Sequence, residues 1–149
     1  MTIQETADRL NKEFTELEDE REAVAHEVAD LIIEWDVELE PIKAVMKRHG
    51  IPYGNKNFEG KTSRGIVIGR HSNNCAVYIL DGSFVRAVNT TDERYVDEER
   101  KNLKMFASNH NLEDIKAGFD YVRNLKSMIA QDFVDRSNEI ARFLKENRK

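Results

Sequence analysis

The 149-residue chain contains few residues that cross-link the backbone, restrict it or make it flexible: it has one cysteine, two prolines and seven glycines. The lone Cys75 excludes an intramolecular disulfide, and the scarcity of proline and glycine argues against long flexible linkers. No apolar run approaches the roughly 20 residues of a membrane-spanning helix, and the first residues lack the pattern of a signal peptide. We therefore expect a cytoplasmic protein without membrane contact, folded as a single domain over residues 1–149.

Motifs for metal binding and catalysis are also missing from the sequence. The four histidines are spread along the chain without ligand spacing, and no serine or cysteine lies in a known nucleophile context. Cys75 precedes the apolar pair Ala76-Val77, so we expect it to be buried and not reactive. The sequence predicts a non-enzymatic protein without a metal or a cofactor.

Residues 54–62 come nearest to a functional motif, because Gly54, Gly60, Lys61 and Thr62 resemble a phosphate-binding loop. Five residues separate the two glycines, whereas the motif has four. The segment is also expected to lead from a helix into a strand, which is the reverse of the motif's context. We interpret it as a glycine-rich connection.

Residues 2–49 predict one long helix. Apolar residues recur in steps of four and three from Ile3 to Val45, and only Arg21 and Glu38 interrupt them. A stripe of this length is typical of a coiled coil.

Four residues mark the ends of this helix and a weak point within it. Thr2 and Glu5 form a capping box at its start, and Gly50 is placed to end it. Pro41 removes a backbone hydrogen bond and disfavours helical geometry in the preceding residue. We expect a kink or a break between residues 35 and 41.

Residues 50–90 predict a basic loop followed by a three-stranded antiparallel meander. The strands are expected at 65–69, 76–80 and 84–88, where β-branched residues dominate. A turn over Ser72, Asn73 and Asn74 connects the first two, and Asp81-Gly82 is a strong hairpin signal between the second and the third.

Residues 91–149 predict helix again. Thr90 and Glu93 form a second capping box that opens a short helix ending near Ala107. Asn111 caps a final helix of about 37 residues at three-and-four apolar spacing.

The two long terminal helices are expected to pair as an antiparallel, coiled-coil-like hairpin around the small sheet. The fold class is α+β and mainly α. Such a hairpin leaves part of each apolar stripe exposed to water. This exposure costs free energy, because four large aromatic residues lie in the stripes: Phe14, Trp35, Phe119 and Phe133. We therefore predict a homodimer or a higher oligomer.

The charges are sorted along the chain. Residues 1–46 carry 14 acidic and 4 basic side chains, residues 47–90 carry 2 and 7, and residues 91–149 carry 12 of each. The basic middle is the candidate ligand-binding site, formed by Lys56, Lys61, Arg64, Arg70, His71, Arg86 and the aromatic Phe84. Strand alternation is expected to place Arg64 and Arg70 on one face with Ile66 and Ile68, and Arg86 on one face with Phe84 and Val88.

The partner of such a site would be anionic: a phosphate-bearing small molecule, a nucleic acid or an acidic protein surface. The acidic first helix repels phosphate, so nucleic acid is confined to the basic middle. We predict a homo-oligomeric binding protein that acts as a regulator or an inhibitor.

Two alternatives remain open. The basic residues are also typical of solvated edge strands or of partners for the acidic helix. In the second alternative, the acidic helices are themselves the recognition element of a protein–protein interaction module, such as a small viral-type inhibitor of a host protein.

Overall fold

The computed structural model describes residues 2–72, 75–97 and 99–148, apart from the side chain of Met128. The elements in chain order are α1 (Ile3–Glu38), α2 (Glu40–His49), β1 (Tyr53–Asn55), β2 (Phe58–Thr62), β3 (Val67–Arg70), β4 (Ala76–Asp81), β5 (Phe84–Asn89), β6 (Lys101–Asn102), α3 (Leu103–Asn109), α4 (Leu112–Arg123) and α5 (Leu125–Asn147). The predicted class is confirmed, because the fold is mainly helical with a small antiparallel sheet. None of the helices in the described ranges combines the length and the apolar character that crossing a bilayer requires.

The predicted signals at the ends of the first helices are confirmed. The Thr2 side chain accepts a hydrogen bond from the Glu5 backbone, and the Glu5 carboxylate accepts one from the Thr2 backbone. The helix breaks at Leu39, and Pro41 occupies the first turn of α2, where its missing N–H costs nothing. Gly50 ends α2 with φ of 64°, a left-handed conformation that suits glycine.

The sheet has four strands in the order β3-β4-β5-β6, and not the three that were predicted. The hairpin at Asp81-Gly82 is confirmed, since β4 ends at Asp81 and pairs from there with Phe84. The additional strand β6 is only two residues long, too short for a periodic pattern to mark it. Asn73 and Asn74 of the predicted first turn lie outside the described residues.

The predicted basic loop contains a second, two-stranded sheet formed by β1 and β2. Asn55 holds this hairpin against the rest of the fold. Its buried amide nitrogen donates to the carbonyls of Val67 (3.0 Å) and Asp114 (2.8 Å), and its oxygen accepts from the Asn57 backbone (3.0 Å). These bonds satisfy a buried polar side chain and link β1 to β3 and α4.

The predicted helix from Thr90 to Ala107 is wrong in its first half. Residues 90–97 are turn and extended chain, and α3 begins only at Leu103, where the Asn102 side chain caps it. Glu93 has φ of 58°, which is left-handed and cannot begin a helix. Its carboxylate does not cap Thr90 but accepts hydrogen bonds from Thr62 and Ser63.

The predicted final helix of about 37 residues is in fact two helices. The cap at Asn111 is confirmed, because its side chain accepts from the Glu113 backbone at 2.9 Å. However, α4 ends at Arg123 and α5 starts at Leu125. The last buried residue of α4 is Val122, so the break at Asn124 comes directly after the buried face of this helix ends.

The core lies where α4 packs on the strands. A Cβ built on Gly118 would lie 2.0 Å from the Val67 carbonyl oxygen, so only glycine permits this approach of helix to strand. On the other side of α4, Trp35 of α1 meets Phe119 edge to face at 5.4 Å between ring centres. These two aromatic residues, predicted to be left uncovered, therefore cover each other.

The predicted hairpin between the terminal helices is not seen. The buried residues of α1 are Ala25, Ala29 and Ile32, so within the described part of the chain no side chain in the first half of this helix is buried. Beyond Leu125, every described side chain of α5 is exposed. The packing face of α1 is instead occupied by α3, through a Lys104–Glu22 ion pair of 2.7 Å among other contacts.

Candidate functional site

The structure distributes the predicted basic site over three places. Lys56 and Lys61 lie on the β1–β2 hairpin, and Arg70 is the last residue of β3, with His71 directly after it. Arg64 and Arg86 meet on the ring of Tyr95, and Phe84 lies two residues before Arg86 on β5. Only one of these three places has the features of an organised anion site.

Lys56 and Lys61 line a cleft of about 550 Å³ with Tyr121 of α4. Both lysines are exposed, and Glu59 lines the same cleft. The neighbouring Asn57 amide is already held by the Asp114 carboxylate at 2.9 Å. Two mobile ammonium groups among carboxylates make a weakly defined site for an anion.

His71 packs on an aromatic cluster at the opposite side of the sheet. Its ring lies 5.1 Å from Tyr78, which also meets Phe106 and His110, while the Tyr78 hydroxyl lies 3.1 Å from the Lys101 ammonium. The cluster is closely packed and joins the sheet to α3. The expectation that Cys75 is buried is wrong: its side chain is exposed, because β4 begins only at Ala76.

Arg64 and Arg86 converge on one aromatic ring. The Arg86 guanidinium carbon lies 3.4 Å from the centre of the Tyr95 ring, and that of Arg64 lies 5.5 Å from it. Beside them, the guanidinium carbon of Arg100 lies 5.9 Å from the centre of the Phe84 ring. We call these five residues the arginine cluster: Arg64, Phe84, Arg86, Tyr95 and Arg100.

Strand pairing explains why these side chains meet. Phe84 and Arg86 are two residues apart on β5 and share a face of the sheet. Tyr95 pairs with Val88, and the Val96 N–H donates to the Ala87 carbonyl at 2.9 Å, so the segment after the turn runs back along β5. This pairing brings the Tyr95 ring beneath Arg86.

The turn before Tyr95 is organised by Asn89. Its backbone carbonyl accepts from the Glu93 N–H and its N–H donates to the Arg94 carbonyl, both at 2.8 Å. Its side-chain oxygen accepts from the Thr91 N–H, also at 2.8 Å. These bonds hold Glu93 in its left-handed conformation and fix the exit direction of the chain.

Glu93 in turn holds Arg64 in the cluster through hydrogen bonds. Its carboxylate accepts from the Ser63 backbone N–H, from the Ser63 hydroxyl at 2.9 Å and from the Thr62 hydroxyl at 3.0 Å. Its carbonyl accepts from the Arg64 Nε at 3.1 Å. The Ser63 backbone bond, then the two hydroxyl bonds, and more weakly the Arg64 charge, lower the pKa of Glu93, which therefore stays ionised at neutral pH.

The three arginines of the cluster form no ion pair with a carboxylate of the described residues, although Glu93 interacts with the charge of Arg64 at longer range. Other cations in the fold have carboxylate partners, such as Lys43 with Asp36 at 2.8 Å. In addition, the Arg86 Nε is buried and lacks a hydrogen-bond acceptor in the part of the chain that the structure describes. A buried charged donor without an acceptor is energetically unfavourable, so an acceptor that reaches it would stabilise the fold.

Sequence reasoning found Arg64, Arg86 and Phe84 but missed Tyr95, Arg100 and the clamp at Glu93. The missed residues lay in a segment that was predicted to be helical, so their relation to β5 was hidden. The face assignment for β3 was also wrong. Ile66, Val67 and Ile68 are all buried and the pairing register shifts between Val67 and Gly69, so simple alternation fails there.

No known protein family, no curated protein and no solved structure matches the chain. Within the described ranges, no group of three or more histidine, cysteine, aspartate or glutamate side chains is placed to hold a metal ion. The arginine cluster is therefore the candidate functional site of the described chain.

Proposed function

We propose that this chain is a non-enzymatic binding protein, acting as a regulator or an inhibitor, whose arginine cluster binds a phosphate-bearing ligand. The proposal is supported by the two guanidinium groups that lie on the ring of Tyr95. Neither of them forms an ion pair with a carboxylate of the described residues. Positive groups gathered in this way repel each other, and a bound anion removes that repulsion.

Arginine suits phosphate because its planar guanidinium offers parallel N–H donors that match two phosphate oxygens. In Arg86 the ring of Tyr95 covers one face of this plane, and the Nε–H at its edge has no hydrogen-bond acceptor among the described residues. Stacking also fixes the orientation of the side chain in advance, which reduces the entropy lost on binding.

The aromatic residues extend the proposal from a bare anion to a phosphate ester. Tyr95 is 36% exposed and Phe84 is 39% exposed, although both also contact an arginine. Nucleic-acid bases stack on exposed aromatic rings and on guanidinium planes. A nucleotide or a short single strand therefore fits the cluster better than an isolated phosphate ion.

The experiment is a comparison of two probes and two arginine variants. Inorganic pyrophosphate is titrated by calorimetry, and a labelled oligothymidylate of about ten nucleotides is titrated by fluorescence anisotropy. Arg86→Ala removes a charged hydrogen-bonding partner and is expected to weaken binding about 10- to 100-fold. Arg48→Ala, at the exposed end of α2, removes the same charge elsewhere and is the matched control.

The outcomes separate the ligand sources and the site. Tighter binding of the oligonucleotide indicates a nucleic-acid strand, whereas binding of pyrophosphate alone indicates a small phosphate compound. Binding that Arg86→Ala and Arg48→Ala weaken equally would show only general charge attraction and would contradict the proposed site, as would the absence of binding to both probes.

A further inference from the structure

Both terminal helices carry apolar side chains that this chain does not cover. In the first half of α1 these are Ile3, Leu10, Phe14 and Leu17, and Phe14 is 60% exposed. In α5 the exposed apolar residues include Ile129, Phe133, Ile140 and Phe143, and Phe133 is 73% exposed. Isolated helices are only marginally stable in water, so helices of this kind normally need a partner.

The total surface of the chain supports the need for a partner. A compact monomer of this mass exposes about 7,800 Å², whereas this chain exposes 10743 Å². Obligate dimers bury about 2,000–5,000 Å² in total, and the excess of about 2,900 Å² is large enough to supply each chain's share.

We infer that the missing partner is a second copy of this chain, with α1 of each protomer packed on α5 of the other. The four helices together then form a two-fold symmetric bundle. The apolar residues of α1 recur with heptad spacing, so a second helix with apolar residues in steps of three and four can cover them. α5 carries an apolar stripe with these steps. The pairing that was expected within one chain is thereby made between two chains.

Charge decides which helices pair. Residues 3–20 of α1 carry 7 acidic and 2 basic side chains, whereas α5 carries 4 of each. Glutamates also precede stripe residues at seven-residue intervals, at positions 13, 20, 27 and 34. Packing α1 on α1 of a second copy places acidic surface against acidic surface, and packing it on the neutral α5 avoids this repulsion. The inference is independent of the proposed ligand, because the arginine cluster lies on the sheet.

The first test measures mass in solution. Native mass spectrometry and light scattering at micromolar concentration are expected to give twice the chain mass of 17.3 kDa. Phe14→Asp and Phe133→Asp are each expected to give monomers that keep a folded core, since both side chains are exposed in the single chain. Thr15→Asp and Asn138→Asp add the same charge to exposed positions beside the stripes and should remain dimeric.

The second test identifies the pairing. A mixture of Phe14→Asp and ¹⁵N-labelled Phe133→Asp is expected to form mixed dimers, because one of the two α1–α5 pairs in such a dimer carries neither substitution. A monomeric wild type would overturn the inference and leave a basic helix of another protein as the occupant. A dimer that survives either single substitution, or a mixture without mixed dimers, would contradict the α1–α5 pairing.

Discussion

The Arg86 guanidinium stacks on Tyr95 with 3.4 Å between its central carbon and the ring centre. The two residues meet because the chain turns at Asn89 and returns along β5, so the contact depends on the pairing of Tyr95 with Val88. This relationship fixes a positive charge on β5. It also explains why the cluster needs an aromatic residue at position 95 and not merely a bulky one.

Replacing Tyr95 separates the role of its ring from that of its hydroxyl. Tyr95→Phe keeps the stacking surface and is expected to bind oligothymidylate as the wild type does. Tyr95→Ala frees the Arg86 side chain, and the loss of a partly buried cation–π contact of about 1–2 kcal/mol predicts binding about 5- to 30-fold weaker. Anisotropy titration measures the affinity of both variants for oligothymidylate. Weaker binding by Tyr95→Phe would show that the hydroxyl, and not the ring alone, contributes to binding.

Glu93 makes the stability of the cluster depend on pH. Its pKa is lowered in the folded chain, so its contribution is present above the ordinary glutamate pKa and is lost as the pH falls through the lowered value. Glu93→Gln keeps the backbone conformation but weakens the bonds to Ser63 and Thr62 at every pH. We expect its melting temperature to lie below that of the wild type above the ordinary glutamate pKa, and the difference to shrink as the pH falls below that value.

Thermal unfolding followed by circular dichroism at several pH values measures this difference. Glu113→Gln is the matched control, because the carboxylate of this exposed glutamate makes no hydrogen bond or ion pair with the described residues, and we expect it to lower the melting temperature less than Glu93→Gln does at neutral pH. A Glu93→Gln deficit that does not shrink as the pH falls below the ordinary glutamate pKa would contradict the role assigned to the carboxylate.

Gly118 provides a test of the core. A methyl group at this position would lie 2.0 Å from the Val67 carbonyl oxygen, so Gly118→Ala must push α4 away from β3. We expect a loss of about 3 kcal/mol or more in the free energy of unfolding, measured with urea. Gly50→Ala meets no atom within 4 Å but has φ of 64°, and it is expected to lose only about 1 kcal/mol. Equal losses would show that α4 does not pack on β3 as described.

Local chemistry predicted the features that local residues decide. The capping box at Thr2, the break before Pro41 and the stop at Gly50 all depend on a few neighbouring side chains, and each is found. The second capping box failed because Glu93 is recruited by Ser63, 30 residues earlier in the chain. Such a contact competes with the cap but leaves no trace in the spacing of residues.

The candidate site was predictable only in part for the same reason. The charge of Arg64 and Arg86 and the face shared by Arg86 and Phe84 follow from sequence and strand alternation. The shared ring of Tyr95 depends on how the chain returns after Asn89, which alternation cannot specify. Likewise, the stripes of α1 and α5 show that each helix needs a partner but not whether the same chain or another one provides it.

The Nε–H signal of Arg86 tests whether the arginine cluster binds phosphate. Nuclear magnetic resonance resolves arginine Nε–H groups, and the Arg86→Ala variant assigns this signal by its absence. Upon titration with inorganic pyrophosphate, we predict that the signals of Arg86 and Arg64 shift together and saturate at one ligand concentration while that of Arg48 stays in place. An Arg86 signal that does not move at saturating pyrophosphate would contradict the account.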